Sequence, residues 1–368
     1  MSEIRDKIIG FLYQKVLRPV FFLMDPEKVH DGFIVAGRFL GGNPVTRGLT
    51  GLMFGYQNPI LSQNIAGLNF KNPVGLTAGF DKEAFLPALL PSVGFGFEEA
   101  GSITALPFSG NERPWMWRLS KERALRVNYG LKNSGAQNIH NRLKNRKFNF
   151  VLGISLAKTN SEQTSNVPGG IEDYFESFKV FQDAGDYFTI NISCPNTLET
   201  SPIFAEPENL DLLLAKLFSI PKTKPVFIKL SPDLPPNQLE GILAVGQKYL
   251  VDGFVCTNLT KVDAFNHTGK GGFSGKAVEE LSNRMISKVY KFYGGKKIII
   301  GCGGVFCAED AYKKIRLGAS LIQLFTGMIF QGPQLIGEIN RGLVKLLERD
   351  GYKNISEAVG AGSHCVVS

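Results

Sequence analysis

An apolar run, "DYFTI", leads into Asn191-Ile192-Ser193-Cys194-Pro195-Asn196, which sets a thiol between two carboxamides. The thiol can act as a nucleophile or accept a proton. The amides can each donate and accept hydrogen bonds toward a flat polar ligand. Nucleophilic work calls for a nearby base, usually histidine, yet histidines 30, 140, 267 and 364 follow no strand-like run closely. The balance therefore favours proton transfer. Other apolar runs also end in groups able to do chemistry: Lys82, Ser102, Ser155, Lys229, Asn258, Gly303-Gly304 and Thr326. Lys229, in "IKL", is either the partner of an anion or electron-rich ring, or a Schiff-base nucleophile with a lowered pKa. Lys82, in "AGFDK", is a second cation at the same end, or else a solvated lysine paired with Asp81. The glycines of "GCGG" and the hydroxyl of "FTG" suit a phosphate, with a tight turn and close helix packing as the lesser alternative for the glycines. "GGFSG" (271–275) reads as a second flexible glycine loop.

Positioning such groups requires a scaffold with many strand ends at one face. Eight short apolar runs recur after Asn72-Pro73, at 73–78, 95–102, 150–155, 186–191, 225–230, 253–258, 297–301 and 320–325. They are too continuous for half-exposed antiparallel strands, and stretches such as "NLDLLLAKLF" with helical spacing separate several of them. That alternation predicts a parallel sheet, and eight units predict an α/β fold of the (β/α)8 TIM-barrel type, with a doubly wound open sheet as the alternative. Barrel sites sit at the carboxyl ends of strands, which is where the polar residues fall.

The first 42 residues read differently, as an N-terminal amphipathic helical hairpin ahead of a barrel spanning 43–368. Ile4, Ile8, Phe11, Leu12 and Val16 share one helical face, which Pro19 is expected to end. Asp25-Pro26-Glu27 starts a second helix, by cap, first-turn proline and dipole, and Gly41-Gly42 stops it. Such helices either dock on the protein or lie in a membrane interface.

Composition narrows the choices. The chain has 368 residues, 43% of them hydrophobic, which suffices for a large core. A net charge of +8 suits anionic small molecules, anionic lipid or nucleic acid alike. Much of it sits between Lys121 and Lys147, where a solvated face is expected. Five cysteines form no CxxC pair, so zinc is not expected, and the odd count fits a reducing compartment. Cys256 and Cys302 read as inert core residues. No cleavable leader and no spanning helix is expected.

The motifs "NPVGLTAGFDK", "GSIT", "NISCPN", "IKLSPD", "CTN", "GGFSG", "GCGG" and "QLFTGMIFQGP", in this order, resemble those of dihydroorotate dehydrogenases, over roughly residues 20–365. The resemblance implies an FMN-containing barrel that oxidises dihydroorotate to orotate in pyrimidine synthesis. It assigns Cys194 the proton removal and Lys229 a place facing the flavin. FMN contacts carried over are Ala78, Gly79, Ser102, Ser155, Asn191 and Thr257. Ser274, Gly275, Gly303, Gly304, Phe325 and Thr326 join them. Substrate contacts are Lys82, Asn128, Asn191, Asn196 and Asn258.

The branch signals disagree. A cysteine base resembles the soluble, fumarate-type branch. "LMDPEKVHDGF", "RPWMWRL" and the tail "LLERDGYKNISEAVGAGSH" resemble the quinone-using branch, with His30 and Arg118 at its quinone site. Three segments outweigh one residue, so the expected partners are dihydroorotate, quinone and the cytoplasmic face of an inner membrane, bound peripherally, without nucleic acid. Departures from the family pattern fall at Val127, Ser155, Leu259, Phe325 and "TLETSPIF". They leave open a related FMN oxidoreductase acting on another cyclic amide or enoate. A Schiff-base aldolase and a non-catalytic flavin binder are the remaining alternatives.

Overall fold

A computed structural model describes residues 2–198, 202–262 and 269–363. His267, His364, Cys365 and the middle of "TLETSPIF" lie outside the described residues. All eight expected strands form: β1 (Val74–Leu76), β2 (Phe97–Ile103), β3 (Val151–Leu156), β4 (Tyr187–Asn191), β5 (Val226–Leu230), β6 (Gly253–Cys256), β7 (Ile298–Cys302) and β8 (Leu321–Leu324). They close into a parallel barrel in chain order, with β8 pairing β1. Helices between them cover the outer face, and the largest apolar cluster lies between strands and helices.

Alternation along the strands divides the barrel interior into layers. Phe97, Tyr187 and Phe227 meet in one inner cluster near the amino end, where Phe70 from the hairpin Gln63–Ile65/Leu68–Phe70 closes the floor. Phe70 stands edge-on to Phe97 at 5.3 Å, and Tyr187 edge-on to Phe227 at 5.3 Å. Two glycines make room for these rings: a Cβ on Gly75 would lie 2.4 Å from the Phe97 ring, and one on Gly153 2.1 Å from that of Tyr187. Two residues further along β2, β4, β5 and β8 come Glu99, Thr189, Lys229 and Gln323, a buried polar layer. Ser155, Asn191 and Cys302 follow the same alternation toward the carboxyl ends.

The N-terminal helices differ in detail from expectation. Pro19 does not end the first helix. Helix α1 (Ser2–Leu12) passes through a π-turn at Tyr13–Leu17 straight into α2 (Arg18–Leu23), and the Arg18 N–H donates to Tyr13 O. The wider turn accommodates the missing proline donor. Asp25 caps α3 (Pro26–Gly41) as expected, accepting from the backbone N–H groups of Glu27 and Lys28. A further helix, α4 (Pro44–Phe54), follows, capped by Asn43. These helices are tied to the barrel's flank by polar contacts. Tyr13 Oη donates to Ile329 O at 2.7 Å, Arg18 to Phe330 O at 3.0 Å, and Asp6 pairs with buried Arg341. Among the described residues, 16 of the 22 exposed large apolar side chains lie between Ile4 and Met53, with Leu23 the barest at 91%. No helix among the described residues is long and apolar enough to cross a membrane.

A three-stranded antiparallel sheet links the two parts: Met116–Leu119, Ala124–Val127 and Gly272–Gly275. "GGFSG" is therefore mostly strand and not a flexible loop. The ladder to residues 124–127 orders it. The basic run is only partly a solvated face. Lys121, Lys144, Arg146 and Lys147 are exposed, whereas Arg123, Arg126 and Lys132 are half-buried and stand over the rings of Phe306, Trp117 and Trp115.

Candidate active site

The carboxyl ends of the strands open into one cleft, the place where barrel sites sit. Its wall includes Lys82, Asn191, Cys194, Lys229, Asn258 and the Gly303-Gly304 turn. Ala78, Gly79, Ser102, Asn196, Thr257, Ser274, Gly275, Phe325 and Thr326 line it too. Ser155 stands one layer behind, its hydroxyl 2.8 Å from that of Ser102. Asn128 is turned away: its Oδ1 accepts from Asn111 at 3.1 Å, and Val127 and Tyr129 reach the wall on either side of it.

Asn191 is fixed on both ends of its amide. Its Nδ2 donates to Ser102 Oγ at 2.8 Å, and its Oδ1 accepts from Ser193 Oγ at 3.0 Å and Asn258 Nδ2 at 3.2 Å. Asn258 Nδ2 also donates to Ser193 Oγ at 3.1 Å. Asn196 Nδ2 donates to Val127 O at 2.9 Å, and its own carbonyl accepts from Asn111 at 3.0 Å, so the segment carrying Cys194 is pinned to the three-stranded sheet. Gly272 lets that segment sit close, since a Cβ there would lie 3.1 Å from Pro195 Cγ and 2.9 Å from Leu259 Cβ.

Lys229 is 3% exposed. Its ammonium donates to Thr77 Oγ1 at 3.3 Å and to Glu99 Oε1 at 3.4 Å. Glu99, fully buried, also accepts from Thr189 at 2.8 Å and Gln323 at 3.1 Å. A buried ion pair needs such extra hydrogen bonds to offset desolvation. Glu99, Thr77 and Gln323 thus join the site beyond the residues that the sequence motifs single out. Two adjacent carboxylates inside the apolar run "FGFEEAGS" were the available signal.

Lys82 does not pair with Asp81, whose carboxylate accepts from the Glu83 and Leu86 backbone instead. The Lys82 ammonium stands 3.8 Å from the centroid of the Tyr129 ring, and burial, reinforced by Lys132, lowers its pKa to about 8. Gly303 and Gly304 have φ of +122° and +75°, and a Cβ on Gly304 would lie 2.3 Å from Glu279 Cβ. Ser274 and Thr326 hydroxyls meet nearby at 2.9 Å. At Gly79, φ +106°, a Cβ would meet nothing within 4 Å. This wall is thus open to a ligand while the backbone beside it is held.

His30 and Arg118 lie outside this cleft. His30 Nε2 donates to Phe80 O at 2.8 Å, and burial, then the charge of Lys82, lowers its pKa to about 4. His30 meets Phe80 edge-on at 5.1 Å, and Phe80 lies 6.3 Å from Phe325, which lines the cleft. Arg118 donates to Phe21 O and Met24 O, both at 2.9 Å, and stands over Phe22 at 4.8 Å. Phe22 belongs to an apolar cluster with Met116, Leu125, Phe306 and Phe330, which Phe325 and Tyr129 join. Unbroken apolar packing therefore links Phe22 on the helices to Phe325 and Tyr129 in the cleft wall.

Residues 60–347 match the family model described as Dihydroorotate dehydrogenase. A protein of Haloarcula marismortui named "Dihydroorotate dehydrogenase (quinone)" is 41% identical over 302 residues, covering 80% of this chain and 84% of that one. One of the same name from Natronomonas pharaonis is 37% identical over 359 residues, covering 95% and 99%. A crystal structure of DHODH from Eimeria tenella in complex with ferulenol superposes with a TM-score of 0.82 at 30% identity, covering 92% of this chain and 95% of that one.

Proposed function

The chain belongs to the dihydroorotate dehydrogenase family, and from that premise we infer what its residues do. It is a flavin-dependent oxidoreductase that oxidises dihydroorotate to orotate, with quinone as electron acceptor, in pyrimidine biosynthesis. The reading extends to FMN as the flavin, to Cys194 as the base and to binding at a membrane surface. The observation that carries it is that Cys194, Lys229 and the Gly303-Gly304 turn face one cleft.

Oxidation forms a C=C bond. The carbon next to the ring carbonyl loses a proton, and its neighbour loses a hydride. A bound flavin would supply the hydride acceptor and the two-electron link to quinone. Cys194 removes the proton as thiolate, on a segment that also excludes water from the cleft. Asn191 and Asn258, held by Ser102 and Ser193, present amides to the planar ring; Asn196 does so from the loop, with Asn128 behind it. Lys229 offsets negative charge on the electron-rich ring. Gly303, Gly304 and Thr326 would hold the flavin's phosphate, with Ser274 and Gly275 beside them. Ala78, Gly79, Thr257 and Phe325 form the remaining wall, and Ser155 supports Ser102. His30 and Arg118 border the acceptor's route, and α1 to α4 rest on the bilayer. The division into a helical part, 1–42, and a barrel belongs to this reading; α4 adds Val45, Leu49, Leu52 and Met53 to the same exposed surface.

Anaerobic mixing tests the reading. Dihydroorotate is expected to bleach the flavin absorbance, and a lipophilic quinone to restore it. Failure of dihydroorotate to bleach it would sink the proposed roles. Removing residues 1–42 keeps every barrel strand, so bleaching is expected to persist while reoxidation by lipophilic quinone falls strongly and that by a small soluble acceptor does not. Equal use of lipophilic quinone by the shortened chain would remove residues 1–42 from the acceptor's route.

Lys82 gives a pH test. Its ammonium, which would hold the substrate carboxylate, is present below about pH 8 and lost above it. KM for dihydroorotate is therefore expected to be flat below that value and to rise by up to about tenfold per pH unit above it. Lys82→Met is expected to raise KM and flatten the profile; an unchanged profile in the variant would remove Lys82 from substrate binding.

A further inference from the structure

Between α3, α4 and the helix Ala136–Leu143 lies a second cleft, open to solvent and lined by Arg38, Arg47, Lys71, Arg142, Arg146 and Lys147 and by no acidic residue. Arg142 is neutralised by Glu83 at 3.0 Å. Among the described residues, no carboxylate lies within ion-pair distance of the other five. The Arg38 and Arg142 guanidiniums both stand over the Phe85 ring, at 5.0 and 4.5 Å, and Arg47 donates to Gly41 O at 2.8 Å. The cleft thus concentrates positive charge on partly anchored side chains.

Its surroundings say what the charge is for. The two helices that form one wall also carry Val35, Phe39, Val45 and Leu49, exposed at 69, 71, 71 and 57%. Val35 lies one helical turn before Arg38, so the apolar band and the cations adjoin. A free phosphate has no use for the apolar band, and a neutral lipid none for the cations. We propose that this cleft binds the anionic headgroup of a phospholipid while the flanking helix faces enter the acyl region. The inference rests on the membrane reading above. Cations near an anionic leaflet act within about 8 Å at physiological salt, each adding about fivefold to binding.

The test uses the full-length flavin-loaded protein and vesicles of phosphatidylcholine, alone or mixed in equal parts with phosphatidylglycerol. Binding to the mixture is expected to be at least about tenfold tighter, a gain that 1 M salt removes. The variant R38Q/K71Q/R146Q/K147Q, altered only at exposed positions, is expected to bind phosphatidylcholine as before, to bleach normally with dihydroorotate and to lose most of the gain. R284Q/K288Q/K296Q/K353Q, an equal loss of exposed charge elsewhere, is expected to keep it. A full gain in the first variant, or an equal loss in the second, overturns the headgroup site. Equal binding of the parent protein to both vesicles overturns this inference alone, and binding to neither overturns the membrane reading with it. Complete release from the mixture by glycerol phosphate at matched concentration would make the cleft a small-phosphate site and also overturn the proposal.

Discussion

Cys194→Ala is expected to bind flavin normally and to reduce it with dihydroorotate about 10²–10⁴-fold more slowly, the usual loss when a positioned base is removed. The proposal rests on geometry more than on residue type. Asn196 anchors the segment to Val127 O, Asn111 holds its carbonyl, and Gly272 lets it press on the sheet. The alanine variant leaves all three contacts in place, so a loss of rate reports the thiol and not the loop. Cys194→Ser is expected to regain part of the activity only at higher pH, because a hydroxyl is far less acidic than a thiol with a pKa of about 8.5. Anaerobic stopped-flow measurement of flavin bleaching checks both. Reduction of the alanine variant within a few-fold of the parent would show that the proton leaves by another route.

Lys229→Met is expected to be the most damaging single change in the barrel. It removes the cation facing the cleft and also leaves Glu99, fully buried, without its ion partner. Breaking a buried pair from one side typically costs about 3–5 kcal/mol. Thr189 and Gln323 still donate to Glu99, so the carboxylate is not wholly bare. Adding Glu99→Gln removes the stranded charge, and the double variant is expected to recover most of the thermal stability while flavin reduction stays impaired. Unfolding curves and flavin bleaching on the single and double variants separate the two effects. If Glu99→Gln did not restore stability to Lys229→Met, the pair would not be coupled as the distances imply. If the double variant reduced flavin normally, Lys229 would have no part in the reaction.

Much of this arrangement was legible in the chain. The eight strands appear where continuous apolar runs predict them, because strands buried on both faces need no alternation. The start of α3 was equally clear, since Asp25-Pro26-Glu27 combines three local signals. What escaped depends on distance or on compensation. The strand Gly272–Gly275 exists only through pairing with Ala124–Val127, far away in sequence, so "GGFSG" alone reads as a loop. Pro19 should break a helix by its own chemistry, but the π-turn at Tyr13–Leu17 absorbs it and no residue type announces that. The environment of Lys82 comes from Tyr129 and Lys132, which lie outside its own motif. Ser102, Ser155 and Asn191 were visible as separate strand ends; that they form one hydrogen-bonded chain follows from barrel closure.

The aromatic floor has a kinetic consequence. With Phe70, Phe97, Tyr187 and Phe227 sealing the amino end, the barrel is a cup and not a pipe. Everything that comes and goes must cross the one rim, so reductant and oxidant have to approach from different sectors of it if both are to be served. The Cys194 segment occupies one sector, and Tyr129 and Phe325, which join the Phe22–Phe330 cluster to the cleft wall, occupy another. A blocker wedged under the helices would then halt electron exit while leaving the first half-turnover intact, and one lodged beneath the cysteine segment would do the reverse.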